Sequence, residues 1–469
     1  MIRFDVRCAW VVAAALVVHI GLLSVVRIRT GAIDTFTFSS LDAREYHAIA
    51  VQLAEHGCFS QAADGSCRPD TWRTPGYPLF LAACMHGVGT SPGALIVVQQ
   101  VLGVLCVGMF HRLARGYLGD RRAIAATAVF LLDPYRLYYS FWLLSTTLLT
   151  FFLLVIWMAW RFTERRNRYL GAILVGVCSG YFVLIWPGTI LVPALLLPGL
   201  LLLTERVPVN IGTPQPWSRH RIAVGALAAG FAFSIVGAWA VRNHFVAGRF
   251  ALSHQSGVVL AYFKAAEVEL WKKGRTADRY LETSLDPGQA QQPHRVWESI
   301  DQEIRGRFQE LPPDRTSALH WRNLAQGNKS SIDDFQIDDE LRAIGLRRIL
   351  AGPWQTATCY VARAVANLTF PMSLAIWPPS GVQTSSARSL ILGLVYSLIL
   401  LSALWNVAHN WRKWRLWFFP IACTVAFLLA VTPQIEPRFR VPLMPLLAFL
   451  AFLPGSSAKS TIADQLSPR

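Results

Sequence analysis

The chain has 469 residues, of which 53% are hydrophobic and only 15% are charged. This composition excludes an ordinary soluble enzyme and favours a protein with several membrane spans. The formal net charge of +16 could suggest nucleic-acid binding, but the basic residues fall in short clusters between apolar runs. The positive-inside rule predicts such clusters in cytoplasmic loops. We therefore predict a membrane protein with no nucleic-acid partner.

Ten apolar runs approach the length of about 20 residues that a helix needs to cross a bilayer. Ten spans place both termini on one side, and five basic clusters, from Arg3 to Arg412, then share that side, which we take as cytoplasmic. We read the first run as an uncleaved span, because no small-residue cleavage site follows it. The expectation is an all-α protein with about ten transmembrane helices in the cytoplasmic (inner) membrane. The runs lie at 10–26, 94–110, 123–139, 141–160, 170–185, 189–203, 222–241, 390–405, 417–431 and 441–452.

Two long segments, 28–92 and 242–385, face outward in this arrangement. The second holds 15 of the 28 acidic residues and is interpreted as a small extracytoplasmic insert, with helices around 296–309 and 332–350. The predicted organisation is an N-terminal transmembrane module with its first outer loop, the insert, and C-terminal helices with a cytoplasmic tail, at 1–241, 242–385 and 386–469.

Two of the eight cysteines differ from the others. Cys58 and Cys67 flank a short polar loop, "CFSQAADGSC", on the predicted outer side, where an oxidising compartment would favour a disulfide. Metal binding by this pair is the alternative. The other six lie in or near apolar runs, where cysteine behaves as a small hydrophobic residue.

The segment after the first span, "SSLDAREYHAIAVQLAEHGCFS", has helical periodicity. Tyr46, Ile49 and Leu53 share one face, which predicts a helix lying on the membrane surface. Asp42 stands at its start, where exposed backbone N–H groups favour an ionised carboxylate. Two roles for Asp42 stay open from this segment alone: a helix cap paired with Glu45, or a catalytic group.

Four motifs, taken in order, resemble one known family. The resemblance is to the integral-membrane glycosyltransferases of the protein O-mannosyltransferase and aminoarabinose-transferase type, which are family 39/83-like enzymes with a GT-C fold. It covers most of the spans and both outer loops. The motifs are "LDAREYHAIAVQLAEHGCFS" followed by "RTPGYPLFLA", then "DPYRLYYSFWLLSTTLLTFFLL", "AWAVRNHFVAGRFALSHQSG" and "EPRFRVPLMPLLAFL".

The resemblance implies a GT-C-like fold and the transfer of a sugar from a polyprenyl-phosphate carrier to an acceptor protein, glycan or lipid on the outer face of the membrane. Asp42 lies where the family has its catalytic acidic residue. Its carboxylate would act as the general base that accepts the proton of the acceptor hydroxyl. Arg242, Arg438 and Arg440, at outer span ends, are candidates to bind the leaving phosphate, with membrane anchoring as the alternative.

Five further residues are expected at the substrate site. A structural role in the Pro-Gly-Tyr-Pro turn is the alternative for Arg73 and Tyr77, because Pro75 and Pro78 fix the backbone and Gly76 permits the turn. The five are Glu45, Tyr46, Arg73, Tyr77 and Asn243.

Thr146 departs from the family pattern. Relatives usually carry a second acidic residue at the start of this span, and Asp133 is the nearest outward-facing acid in this chain. Loss of the second carboxylate removes a ligand for a divalent metal shared between two loops. We therefore predict an enzyme that needs no metal or other cofactor, with a divalent metal as the alternative.

Two other classes of function stay open. A transporter or lipid flippase would place charged or broken segments near the membrane midplane, whereas the ionisable residues here gather at the outer surface. A polysaccharide polymerase or ligase would share the basic outer loops without needing Asp42. The sugar, the acceptor and the oligomeric state are not specified by the sequence.

Overall fold

A computed structural model describes most of the chain. Its described residues form helices joined by turns and loops and contain no strands, which confirms the predicted all-α class. Parts of the insert and of the C-terminal tail lie outside the described residues, and the predicted domain boundaries stay predictions. The described ranges are 6–62, 67–165, 167–203, 219–272, 295–308, 334–369, 386–432 and 437–454.

The helices follow one another with short connections. In chain order the described helices are α1 (Val6–Thr30), α2 (Leu41–His56), α3 (Gly76–Val88), α4 (Pro92–Leu118), α5 (Asp120–Leu131), α6 (Pro134–Tyr139), α7 (Thr146–Arg165), α8 (Arg168–Ile185), α9 (Leu191–Leu203), α10 (Arg219–Ala247), α11 (Ser256–Val258), α12 (Ala266–Lys272), α13 (Arg295–Arg307), α14 (Asp334–Leu350), α15 (Pro353–Thr369), α16 (Ser386–His409), α17 (Trp414–Val431) and α18 (Met444–Ala451). A π-helical stretch covers Val259–Ala265, and 3₁₀ helices cover Pro187–Ile190, Trp411–Lys413 and Pro437–Leu443.

Six of the described helices, α1, α4, α7, α8, α10 and α16, are long and apolar enough to cross a membrane. Each of the ten predicted runs overlaps helix. The run at 123–139 is divided into α5 and α6, because Asp133 caps a new helix, accepting from Arg136 N at 2.9 Å, and Pro134 occupies its first position. The protein is a helical membrane protein with several spans.

The two ends of the helix bundle can be told apart by their contacts. At one end, the start of α1 meets the end of α4: Arg7 and Arg115 both pair with Asp120. Close by, the guanidinium of Arg161, late in α7, lies 3.8 Å from the ring centroid of Tyr117. We call this the basic end. The end of α1, the start of α7 and the end of α8 lie at the opposite end, because successive spans reverse direction.

Helix α2 lies at this opposite end and packs against α3. Its predicted apolar face is confirmed, since Tyr46 and Ile49 are buried. Ser40 is the N-cap, and its hydroxyl accepts from Ala43 N at 3.2 Å. The interpretation of Asp42 as the helix cap is therefore wrong.

The turn that precedes α3 is shaped by a contact with α8. A Cβ added at Gly76 would lie 2.5 Å from the backbone nitrogen of Ile185 and 2.6 Å from the carbonyl carbon of Leu184. The hydroxyl of Tyr181 donates to the Gly76 carbonyl at 2.7 Å. Glycine is required here because the two backbones approach so closely. The turn that was predicted from the sequence explains this glycine only in part.

The two segments that are predicted to face outward are packed against each other. A disulfide joins Cys58 and Cys67, whose Cα atoms are 5.5 Å apart, and closes the loop after α2. Trp72, in the next loop, belongs to a second apolar core that includes Tyr262 of the insert. Thr71 Oγ1 and His254 Nδ1 are 2.9 Å apart. The first outer loop and the insert are thus packed together.

Candidate active site

Asp42 lies in the first turn of α2 between two guanidinium groups. Arg73 Nη2 pairs with its Oδ1 atom, and Arg438 Nη1 donates to its Oδ2 atom at 2.8 Å. The two arginines are 31 and 396 residues from Asp42 in the sequence. Two cations thus lie beside one carboxylate.

Arg73 is the fixed member of this cluster. Its side chain is 9% exposed, and its Nε atom donates to Glu45 Oε2 at 2.7 Å. Burial by itself lowers the pKa of Arg73, but Asp42, Tyr46 and Glu45 together hold that pKa well above its ordinary value. Arg73 therefore stays charged and fixes both carboxylates in place.

A chain of aromatic and amide contacts supports the cluster from behind. The rings of Tyr46 and Tyr77 meet edge to face, with centroids 5.0 Å apart. Tyr77 donates its hydroxyl to Gln99 Oε1 at 2.8 Å, and Gln99 Nε2 donates to the carbonyls of Ser140 and Trp142 at 2.9 and 2.7 Å. Tyr77 thus connects α2 to the loop that leads into α7.

A cavity of about 60 Å³ adjoins Asp42. This volume is far below the roughly 300–1,000 Å³ of sites that enclose a whole small molecule, so the cavity has room only for a small group. The charged residues of its lining are Asp42, Arg73 and Arg438. Tyr46 lies beside them in the lining. The rest of the described lining is Leu144, Ser145, Thr146, Leu149, Trp186, Phe427, Phe439 and Pro442.

The aromatic wall of the cavity comes from three separate elements. The ring of Trp186 stacks on Phe439 with centroids 5.2 Å apart and lies 5.3 Å from Phe427. The pairing of these three rings depends on tertiary packing, and no local pattern marks it.

Thr146 also lines the cavity, at the place where the resemblance leads one to expect a second acid. Asp133 does not belong to the described lining, because it caps α6 and accepts from the hydroxyl of Tyr396. Among the residues that the structure describes, no three His, Cys, Asp or Glu side chains are grouped to hold a metal. Metal independence stays a prediction.

Arg242 and Asn243 lie beside the first outer loop. Arg242 Nη1 donates to the Asp70 carbonyl at 2.6 Å, and Asn243 Nδ2 donates to the Ala251 carbonyl at 2.8 Å. Neither residue belongs to the described lining of the cavity. These contacts fix the start of the insert against the loop that carries Arg73, and a role in substrate binding stays a prediction.

Arg440 is 1% exposed and lies between two tyrosine rings. Its guanidinium carbon is 3.8 Å from the ring centroid of Tyr396 and 4.6 Å from that of Tyr135, and its Nη1 atom donates to the Leu368 carbonyl at 3.3 Å. The structure brings Asp42, Glu45, Tyr46, Arg73 and Arg438 together, and it places Arg440 in a neighbouring buried cluster.

No protein-family profile and no curated protein matches this chain. Among solved structures, it is similar to ArnT from Cupriavidus metallidurans bound to undecaprenyl phosphate, at 14% identity and a TM-score of 0.38, over 94% of this chain and 77% of that chain. It is also similar to the same protein in the apo state, at 13% identity and a TM-score of 0.37, over 96% and 78% of the two chains. A TM-score in this range does not establish a shared fold, so the helices and the cavity of this chain carry the functional argument.

Proposed function

We propose that the protein is a membrane glycosyltransferase that moves a sugar from a polyprenyl-phosphate carrier to an acceptor hydroxyl at the outer face of the cytoplasmic membrane. The supporting observation is a carboxylate, Asp42, held by two arginines in a cavity at the end of a helix bundle. The acceptor is a protein, a glycan or a lipid. The lipid chain of the carrier extends from the cavity along the bundle into the membrane.

Asp42 acts as the general base in this proposal. The acceptor oxygen attacks the anomeric carbon while its proton passes to the Asp42 carboxylate. The bond from the anomeric carbon to the phosphate oxygen breaks, the electron pair leaves with the phosphate, and the configuration at carbon is inverted. A positioned base typically contributes 10²- to 10⁴-fold to such a step.

The two arginines have different tasks. Arg73 is buried and holds both Asp42 and Glu45, so it positions the base. The Arg438 side chain is 20% exposed and lines the same cavity. Arg438 is therefore the group that turns from Asp42 towards the phosphate, which releases one carboxylate oxygen for the incoming proton and stabilises the leaving anion.

The test uses Asp42→Asn in purified protein with a panel of radiolabelled polyprenyl-phosphate sugars. Undecaprenyl phosphate, which is bound in the similar ArnT structure, is the first carrier to use. We expect at least a 100-fold loss of turnover, with carrier binding retained. Glu55→Gln, at the exposed far end of α2, is the matched control and should keep full turnover.

Three outcomes would contradict the proposal. Turnover that survives in Asp42→Asn would show that Asp42 is not the general base. Lipid movement across vesicles with no sugar transfer would indicate a flippase, and elongation of a lipid-linked glycan without Asp42 would indicate a polymerase or ligase.

A further inference from the structure

The first turn of α7 forms part of the cavity wall. Ser145 and Thr146 both line it, and the Ser145 carbonyl accepts from Leu149 N at 2.8 Å, so the helix is formed from its first turn. The first N–H groups of an α-helix have no partner within the helix, and they carry the positive end of its dipole. The start of this 20-residue helix therefore favours an anion in the cavity.

The Thr146 hydroxyl provides an independent second observation. Thr146 is only 4% exposed, and its Oγ1 atom has no hydrogen-bond partner in the part of the chain that the structure describes. Elsewhere on the same helix, Thr150 and Thr163 donate to the carbonyl four residues earlier, at 2.8 and 2.9 Å. A buried hydroxyl without a partner is costly, so Thr146 is expected to bond a ligand.

The loop before α7 is fixed, so this hydroxyl is held in place. Gln99 Nε2 binds the Trp142 carbonyl at 2.7 Å, and Leu143 N donates to the Thr37 carbonyl at 3.3 Å. Arg438, whose side chain is 20% exposed, lines the same cavity. The cavity thus presents a hydroxyl donor, a helix N-terminus and a guanidinium to one small volume.

We propose that Thr146 and the first turn of α7, together with Arg438, bind the phosphate monoester of the lipid carrier. This inference rests on the proposed function and assigns the residue that holds its leaving group. It also explains the residue type at this position. A carboxylate at 146 would repel the phosphate, whereas a threonine hydroxyl donates to it without adding charge.

The experiment measures equilibrium binding of three probes to detergent-solubilised protein: a polyprenyl phosphate, the corresponding neutral polyprenol, and inorganic phosphate. Thr146→Val removes the hydroxyl and keeps the branched shape, so we expect roughly tenfold weaker binding of the polyprenyl phosphate and unchanged binding of the polyprenol. Thr146→Ser restores the hydroxyl and should recover the affinity. Thr150→Val makes the same change one turn further along α7 and should bind like the wild type.

Thr146→Asp separates this inference from a metal-binding role for the position. We expect it to abolish phosphate binding, with or without added divalent metal. Binding that is restored by metal in Thr146→Asp would overturn the inference, and so would equal affinity in Thr146→Val. If the protein binds inorganic phosphate but not the lipid, the anion subsite is supported and the lipid carrier is rejected. If the wild type binds none of the probes, both proposals are rejected. Thr146→Ala replaces Thr146→Val if the latter unfolds.

Discussion

Asp42, Arg73 and Arg438 form one ion-paired cluster, but these residues differ in burial. Their removal should therefore affect stability to different extents. Arg73 and Glu45 are almost fully buried, with side-chain exposures of 9% and 6%. Removing one partner of a buried pair leaves an uncompensated charge, which typically costs about 3–5 kcal/mol. Arg438 and Asp42 are 20% and 24% exposed, so water compensates part of any loss there.

Alanine substitution should therefore separate the two arginines. We expect Arg73→Ala to reduce the free energy of unfolding by about 3 kcal/mol or more. Arg438→Ala should change it by about 1 kcal/mol or less, while it raises the KM for the lipid carrier at least tenfold through loss of a charge-assisted phosphate contact. Thermal unfolding in detergent and steady-state transfer kinetics measure the two effects.

Arg44→Ala is the control for this comparison, because Arg44 is exposed on the same helix as Asp42. It should alter neither stability nor KM. The division of tasks between the arginines would be rejected if Arg438→Ala destabilised the protein as much as Arg73→Ala, or left the KM for the carrier unchanged.

The sequence predicted these charged residues only in part. Asp42 and Arg438 are 396 residues apart, so no local pattern could show that they meet, and their joint prediction depended on the family resemblance. The capping interpretation was wrong because Ser40 reaches the Ala43 N–H group. The Thr146 hydroxyl has no hydrogen-bond partner among the described residues. This could not be predicted, because it depends on the positions of all the neighbouring elements.

At the scale of the element, the contact between α3 and α8 fixes the position of α2 and α3 against the helix bundle. Periodicity predicted the apolar face of α2, and turn residues predicted a break before α3. The requirement for glycine at position 76, however, comes from the backbone of α8 more than 100 residues later. Helix periodicity is a local pattern, so it can be predicted from the sequence. The close approach of two helices that are distant in the chain cannot.

Gly76→Ala should accordingly destabilise the protein. The added Cβ would meet backbone atoms of Leu184 and Ile185 at 2.5–2.7 Å, and backbone cannot move aside as a flexible side chain can. We expect a loss of about 1–3 kcal/mol in the free energy of unfolding, measured by thermal unfolding, with lower turnover because α3 supports the turn that carries Arg73.

Gly87→Ala is the matched control on the same helix. An added Cβ at this position meets no atom within 4 Å among the described residues, and alanine is the better helix former, so stability should be unchanged or slightly higher. Equal effects of the two substitutions would show that the contact with α8 does not determine the residue at position 76.

At the scale of the whole molecule, the candidate site and the basic end lie at opposite ends of the bundle. Arg7, Arg115 and Asp120 join the start of α1 to the end of α4, while Asp42 follows the end of α1. Basic residues gather on the cytoplasmic side of a membrane protein. We therefore predict that the site lies on the outer side, as the proposed function requires.

Cysteine labelling tests this orientation in cells. In a background in which the six free cysteines (Cys8, Cys84, Cys106, Cys178, Cys359 and Cys423) are replaced by alanine, Glu55→Cys and Arg121→Cys each place one thiol at an exposed position at opposite ends. A membrane-impermeant maleimide should label Glu55→Cys in intact cells and Arg121→Cys only after permeabilisation, because the bilayer separates the reagent from the cytoplasmic end. The background without either new cysteine is the control and should stay unlabelled. The reverse pattern would place Asp42 on the cytoplasmic side, where the acceptor of an outer-face transferase is not found.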